Sequence, residues 1–133
     1  MTQQEILDLC LSMQGAYVDY PFGPDVTIVK VKAPSQERGR IFAQLFELHG
    51  EPKATFNCDR MTGEFYRGLY PGAVVRGYHC PPVQQPYFNT VCPDGTVPDA
   101  EIAAMITHSY ETVVAKLPKY AREELLCEDP TAK

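Results

Sequence analysis

The side chains best suited to chemistry fall into a thiol and imidazole group and a scatter of basic residues. His79-Cys80 with Cys58 and Cys92 is the one group whose donors suit a soft metal such as zinc. Its spacing argues against that use, because adjacent His and Cys do not readily share one tetrahedral centre and the gap from 80 to 92 departs from finger-like patterns. No metal is expected, and the cysteines read as small hydrophobes. An acyl-transfer set would have to pair one of these thiols with His79, and no Gly-x-Ser-x-Gly elbow is present. The glycines at 15, 23, 39, 50, 63, 68, 72, 77 and 95 are dispersed, so neither a phosphate loop nor a dinucleotide fingerprint is formed and no cofactor is expected. Asp94 reads as a turn residue and Asp99 as a helix start. His49 falls in a hairpin turn and His108 on the polar side of a helix, so no residue is assigned a catalytic role.

Binding is a different matter. Lys30, Lys32, Arg38, Arg40 and Lys53 fall in or beside the expected strands, where basic side chains can converge on one face. Between Ala16 and Asp25 stand Tyr17, Tyr20, Pro21, Phe22, Gly23 and Pro24, read as a compact aromatic loop. That loop is either a plug over one end of the core or one wall of a ligand cleft, with Tyr17 and Tyr20 facing Tyr78 and His79.

The elements that must hold these residues are legible from periodicity. The chain is organised around residues 40–58: Ile41 to Phe46 is apolar on both sides, and after a break at His49-Gly50-Glu51-Pro52, Lys53 to Cys58 alternates with period two. This predicts a hairpin whose first arm is central and whose second arm turns Ala54, Phe56 and Cys58 inward and Lys53, Thr55 and Asn57 outward. Val26 to Lys32 reads as the strand before it, making a three-strand meander with Lys30 and Lys32 facing out. Thr2 to Glu5 has the form of a capping box and opens a helix with Ile6, Leu9, Cys10 and Met13 on its apolar stripe. A short helix from about Asp59 is expected to bury Met61, Phe65 and Leu69. Three prolines in Cys80 to Pro86 exclude a central strand there, and Tyr87 to Cys92 returns to strand character before the Asp94-Gly95 turn. The long helix after Pro98 carries Ile102, Met105, Ile106, Tyr110, Val113, Val114 and Leu117. Ser109 lies beside that stripe, where its hydroxyl can satisfy itself on the carbonyl four residues earlier. Residues 120–126 suggest a terminal helix, and 128–133 read as a frayed tail to a single domain over 1–127.

Composition sets the outer limits. The 133 residues carry a net charge of -5 with no strongly basic segment, so a large nonspecific affinity for nucleic acid is not expected of the chain as a whole. Five cysteines without a CxxC pair, and a start at Met1-Thr2-Gln3-Gln4-Glu5 without positive charge, point to a reducing cytoplasm and no membrane partner.

Taken in order, Gly15-Ala16, Pro21-Phe22-Gly23, Gly39-Arg40-Ile41-Phe42-Ala43, Tyr78-His79, Asn89-Thr90-Val91, Asp94 to Asp99 and Ser109-Tyr110 resemble the MmcQ/YjbR family of small bacterial proteins. The resemblance covers about residues 3–118 and implies a CyaY-like fold with a DNA-binding role. It further implies phosphate-backbone contacts from Lys30, Lys32, Arg40 and Lys53, help from Arg76, and stacking by Tyr87 or Phe88. Two stretches depart from the family's usual residues. Asn57 stands where a Lys is usual, and Gln84-Gln85-Pro86-Tyr87-Phe88 replaces an Asn-Lys then His-Trp segment. The fold expected is an α/β two-layer sandwich, an antiparallel sheet with helices on one face. The expected function is a non-enzymatic binding protein for DNA or RNA through an open sheet face, with a protein-interaction module and a small-molecule receptor or enzyme near Tyr20 and His79 as its rivals.

Overall fold

A computed structural model describes residues 1–78 and 80–127, so the tail and His79 lie outside the described residues. Six antiparallel strands form one sheet: β1 (Ala16–Asp19), β2 (Thr27–Val31), β3 (Arg40–Leu48), β4 (Glu51–Asn57), β5 (Val74–Arg76) and β6 (Phe88–Val91). Their spatial order is β1-β2-β3-β4-β6-β5. The helices are α1 (Gln3–Leu11), α2 (Arg60–Leu69), α3 (Asp99–Val114) and α4 (Lys119–Cys127). They cover one face of the sheet, giving an α/β two-layer sandwich.

The hairpin of β3 and β4 is central, with β2 on one side and β6 on the other. His49 and Gly50 make its turn, both at positive φ. The register decides which side chains meet the helices. Leu45, Ala54, Val91 and Val74 lie in one cross-strand row and Ala43, Phe56 and Asn89 in the next, and all are buried. α1 contributes Ile6 and Cys10 to that core and α3 contributes Ile102, Met105, Ile106 and Val113. Thr2 and Glu5 form the expected capping box. On the opposite face run Gln44, Thr55, Thr90 and Val75. The middle of that uncovered face is dry, because Ile28, Thr55 and Thr90 are buried and the two threonine hydroxyls bond each other at 2.8 Å.

Four expectations are corrected. The aromatic segment is not all loop: Ala16–Asp19 pairs with β2 and extends the meander to four strands. Tyr87 ends a 3-10 turn over Gln85–Tyr87, and the strand starts only at Phe88. Ser109 does not bond back within its helix but reaches across to the sheet. β3 carries a bulge at Phe42, since Val29 pairs with Ala43 and Lys30 with Ile41. Ser109 Oγ bridges the local gap in the ladder, donating to the Phe42 carbonyl at 2.5 Å and accepting from the Asn57 N–H at 2.8 Å.

The fourth correction is α2, which turns Met61, Phe65 and Leu69 to solvent. The side facing the fold is Gly63, Tyr66, Arg67 and Tyr70: the two tyrosines pack on the core, while Gly63 and Arg67 meet a polar seam. Arg67 Nη1 donates to Asn89 Oδ1 at 2.7 Å, and Asn89 in turn donates to the Gly63 carbonyl. A Cβ on Gly63 would stand 2.7 Å from Cys58 Sγ and 2.9 Å from Arg67 Nη1. Gly63→Ala is therefore expected to destabilise by about 1–3 kcal/mol, against the usual gain from replacing a helical glycine. Urea denaturation checks this, and an unchanged or raised midpoint would mean that Arg67 is free to move aside.

Candidate functional site

Antiparallel pairing sorts the charged residues between the two ends of the sheet. The end of β2, the start of β3, the end of β4, the start of β6 and the end of β5 lie together, as the pairs Val31 with Arg40, Asn57 with Phe88 and Arg76 with Asn89 require. Lys32, Arg38, Arg40 and Arg76 therefore share one end. α3 runs toward it, because Asp99 at its start meets the Met1 amino group and Ser109 further on meets Asn57. Lys116, just past α3, joins the same end. The opposite end, at the β3–β4 turn, gathers Asp25, Glu47, Glu51, Asp94 and Asp99. One end, the basic rim, thus gathers five basic side chains beside Glu37, Asp59 and Glu124, and the other, the acidic rim, gathers five acidic ones beside Lys53.

At the basic rim Asn57, Cys58, Gln84, Tyr87, Phe88 and Lys116 line a cavity of about 300 Å³. Its walls combine two aromatic rings, two amides and an ammonium group. Phe88 lies directly across from Asn57 because β6 pairs with β4, and the 3-10 turn is tied to β4 by the Cys58 N–H donating to the Tyr87 carbonyl at 2.9 Å. Asp59 is occupied beside the cavity: it caps α2 by accepting from Thr62, and that bond holds its carboxyl below the usual carboxylate range. A larger cavity of about 700 Å³ opens at the acidic rim, lined by Asp25, Glu47 and Phe46 among others. There the Gln3 amide is already committed to the Phe46 and Lys53 carbonyls.

The expected site residues divide accordingly. Lys30 and Lys32 face away from the helices toward the basic end. Lys30 is held by Asp19 at 2.7 Å, which keeps the Asp19 carboxyl below its ordinary range, and Lys32 stands 5.4 Å over the Tyr17 ring. Arg40 and Arg76 alternate toward the helix side but sit at strand ends of the same rim, and Tyr87 lines the cavity. Lys53 lies at the other end, 3.4 Å from Glu51. Among the described residues of the expected cleft, Tyr17, Tyr20 and Tyr78 are not brought together. Tyr17 is on β1 and Tyr78 follows β5, which are opposite edges of the sheet, Tyr20 lies past the far end of β1, and His79 is outside the described residues.

Lys116, Asn57 and Gln84 were not singled out from sequence as ligand-contacting groups. The alternation of β4 marks Asn57 as outward-facing, but nothing local signals that Lys116 would meet it. The thiols stand apart from metal chemistry: among the described residues no group of three His, Cys, Asp or Glu side chains is placed to hold an ion. Burial pushes the Cys58 thiol up to about 11 despite the pull of the Arg67 guanidinium, and burial also raises Cys80 and Cys92. Among the described residues no helix is long and apolar enough to cross a membrane.

Comparison with known proteins adds the lineage. The YjbR family model matches residues 11–112. The chain belongs to the YjbR family. Among solved structures, the Deinococcus radiodurans protein DR2400, a crystal structure of the family-model domain DUF419, is similar with a TM-score of 0.81 and 26% identity over 93% of this chain and 87% of that one. A protein from Pseudomonas syringae shares the fold at TM-score 0.66 and 16% identity, over 85% of this chain and 99% of its own. No curated protein matches. Asn57, Gln84, Tyr87 and Phe88 of this YjbR chain line the basic cavity.

Proposed function

We propose that the chain is a binding protein for single-stranded nucleic acid, taken along the basic rim with one base lodged against Tyr87 and Phe88. The observation that carries this reading is the coincidence of the cavity of aromatic rings and amides with the rim that gathers Lys32, Arg38, Arg40, Arg76 and Lys116. Aromatic rings stack on any base, and amide side chains match the donor and acceptor pattern of a base edge. Lys32, Arg40 and Lys116 would contact phosphates, while the acidic rim would repel the same strand and fix which end of the sheet it meets. A duplex keeps its bases stacked and fits a 300 Å³ cavity poorly. Catalysis has no part in this reading, and the raised thiol of Cys58 is consistent with a wall rather than a nucleophile.

Fluorescence anisotropy with labelled DNA and RNA single strands of about twelve nucleotides, and the matching duplex, tests it. Three or four phosphate contacts predict a roughly twenty- to fifty-fold loss of affinity between about 50 and 200 mM salt. Lys32→Glu with Arg40→Glu should weaken binding by about ten-fold or more, whereas Lys53→Glu at the far end should change it less than about two-fold. The proposal fails if no salt-dependent binding appears by about 100 µM protein, or if Lys53→Glu weakens binding as much as the rim pair does.

A further inference from the structure

α2 is amphipathic in the wrong sense for a helix that only covers a sheet. Its apolar residues Met61, Phe65 and Leu69 recur every four positions and are 83%, 60% and 50% exposed. The side packed on the fold sets Tyr66 and Tyr70 on the core and is completed by Gly63, Arg67 and the bonds to Asn89 and Pro86. Gly68 stands next to the exposed ridge, with open space where its Cβ would be. Unlike Gly63, no packing inside the fold calls for it, although a glycine within a helix is unfavourable by up to about 1 kcal/mol.

We propose that this ridge is the contact surface of a homodimer, with α2 packed antiparallel on α2 of a second copy across a two-fold axis at Phe65. The spacing is self-complementary: Met61 lies four residues before Phe65 and Leu69 four after, so an antiparallel pair sets Phe65 on Phe65 and each Met61 on the other copy's Leu69. Charge favours a like partner as well. Arg60 and Glu64 flank the ridge, bonded to each other at 3.3 Å, so the surface carries no net charge to repel its own image. The bare Gly68 backbone lets the second helix approach closely. Three side chains this exposed present on the order of 300–400 Å² of contiguous apolar surface, within the range of the main apolar patch of a protein this size. Two copies of the ridge bury on the order of 600–800 Å², below the roughly 1,200 Å² at which stable interfaces begin, so the dimer is a weak one that forms at high concentration. A charged ligand would find nothing on this ridge to recognise, and ten residues without a cluster of Lys or Arg make a poor membrane anchor.

Sedimentation velocity from about 1 to about 200 µM tests this directly. The wild-type chain should shift from monomer to dimer over that range, and Phe65→Glu should weaken the association by about thirty-fold or more with an unchanged circular dichroism spectrum. Leu69→Lys serves as the second variant should Phe65→Glu fail to fold. Phe65→Cys should form an intermolecular disulfide under mild oxidation, mapped by mass spectrometry to residue 65 in both copies. A wild-type chain that stays monomeric throughout overturns the proposal, as does a dimer that both charged variants leave intact. Phe65-dependent sedimentation with vesicles of phosphatidylcholine and phosphatidylglycerol, without self-association, overturns it in favour of a lipid surface.

Discussion

Phe42→Ala is expected to lower the unfolding free energy by about 4 kcal/mol, the largest single loss anticipated in this chain. The ring is fully buried and meets Tyr110 edge-on, with centroids 5.5 Å apart and planes at 80°. Tyr110 is itself anchored, donating from its hydroxyl to the Gln14 carbonyl at 2.5 Å, so it cannot swing into the space the ring vacates. Phe42 is also the additional residue of the bulge, where the backbone is pinned by the partners of β2 and by Ser109. With neighbours fixed on three sides the cavity stays open, and the cost includes both the lost transfer free energy and the void. Domains of this size have about 5–15 kcal/mol in total, so the variant should sit near the threshold of folding. Urea denaturation monitored by circular dichroism measures it, with Phe22→Ala as the control, since Phe22 is 67% exposed and its loss should fall within about 0.5 kcal/mol. A loss below about 1.5 kcal/mol for Phe42→Ala would show that the core around the bulge closes up after all.

What the sequence disclosed follows the range of the forces involved. The hairpin of β3 and β4, the capping box of α1 and the stripe of α3 are local patterns, and the structure has them where alternation and helical spacing put them. β1 was hidden because four residues beside Tyr20-Pro21-Phe22-Gly23-Pro24 carry turn chemistry on one flank and a glycine on the other, and only pairing with β2 makes them a strand. α2 misled for the opposite reason. Its apolar periodicity is clear, and periodicity reports that a face is apolar without saying what it meets. The inward side is decided by Asn89 and Pro86, which lie 22 and 19 residues from Arg67 in the chain. The basic rim was half legible: alternation gives the face of Lys30, Lys32 and Lys53, but strand direction gives the end. Direction separates Lys53 from Lys32 and brings Lys116 to Asn57, because β6 inserts beside β4 and α3 stops there.

Ser109→Ala should cost about 2–4 kcal/mol although it removes one oxygen atom. The β3–β4 ladder stops at Ala43 with Phe56, one pair short of Phe42 with Asn57, and Ser109 Oγ serves both the Phe42 carbonyl and the Asn57 N–H instead. Alanine leaves a buried acceptor and a part-buried donor without a protein partner, and each such group costs about 1–3 kcal/mol. Ser109 and Phe42 are fully buried, so little room remains at the carbonyl for water to stand in. Hydrogen exchange at Asn57 separates this account from a loss of packing alone. The Asn57 amide should be protected in the wild-type chain and exchange far faster in Ser109→Ala, while the amides of Thr55 and Phe56 should change only with global stability. If Asn57 kept its protection and the loss stayed below about 1 kcal/mol, β3 and β4 would have extended their ladder by one pair and bonded directly. Asn57 also lines the basic cavity, so the same substitution links the core to the rim. A strand end freed from α3 should bind oligonucleotide more weakly, and Lys53→Glu offers the matched case in which the rim is left alone.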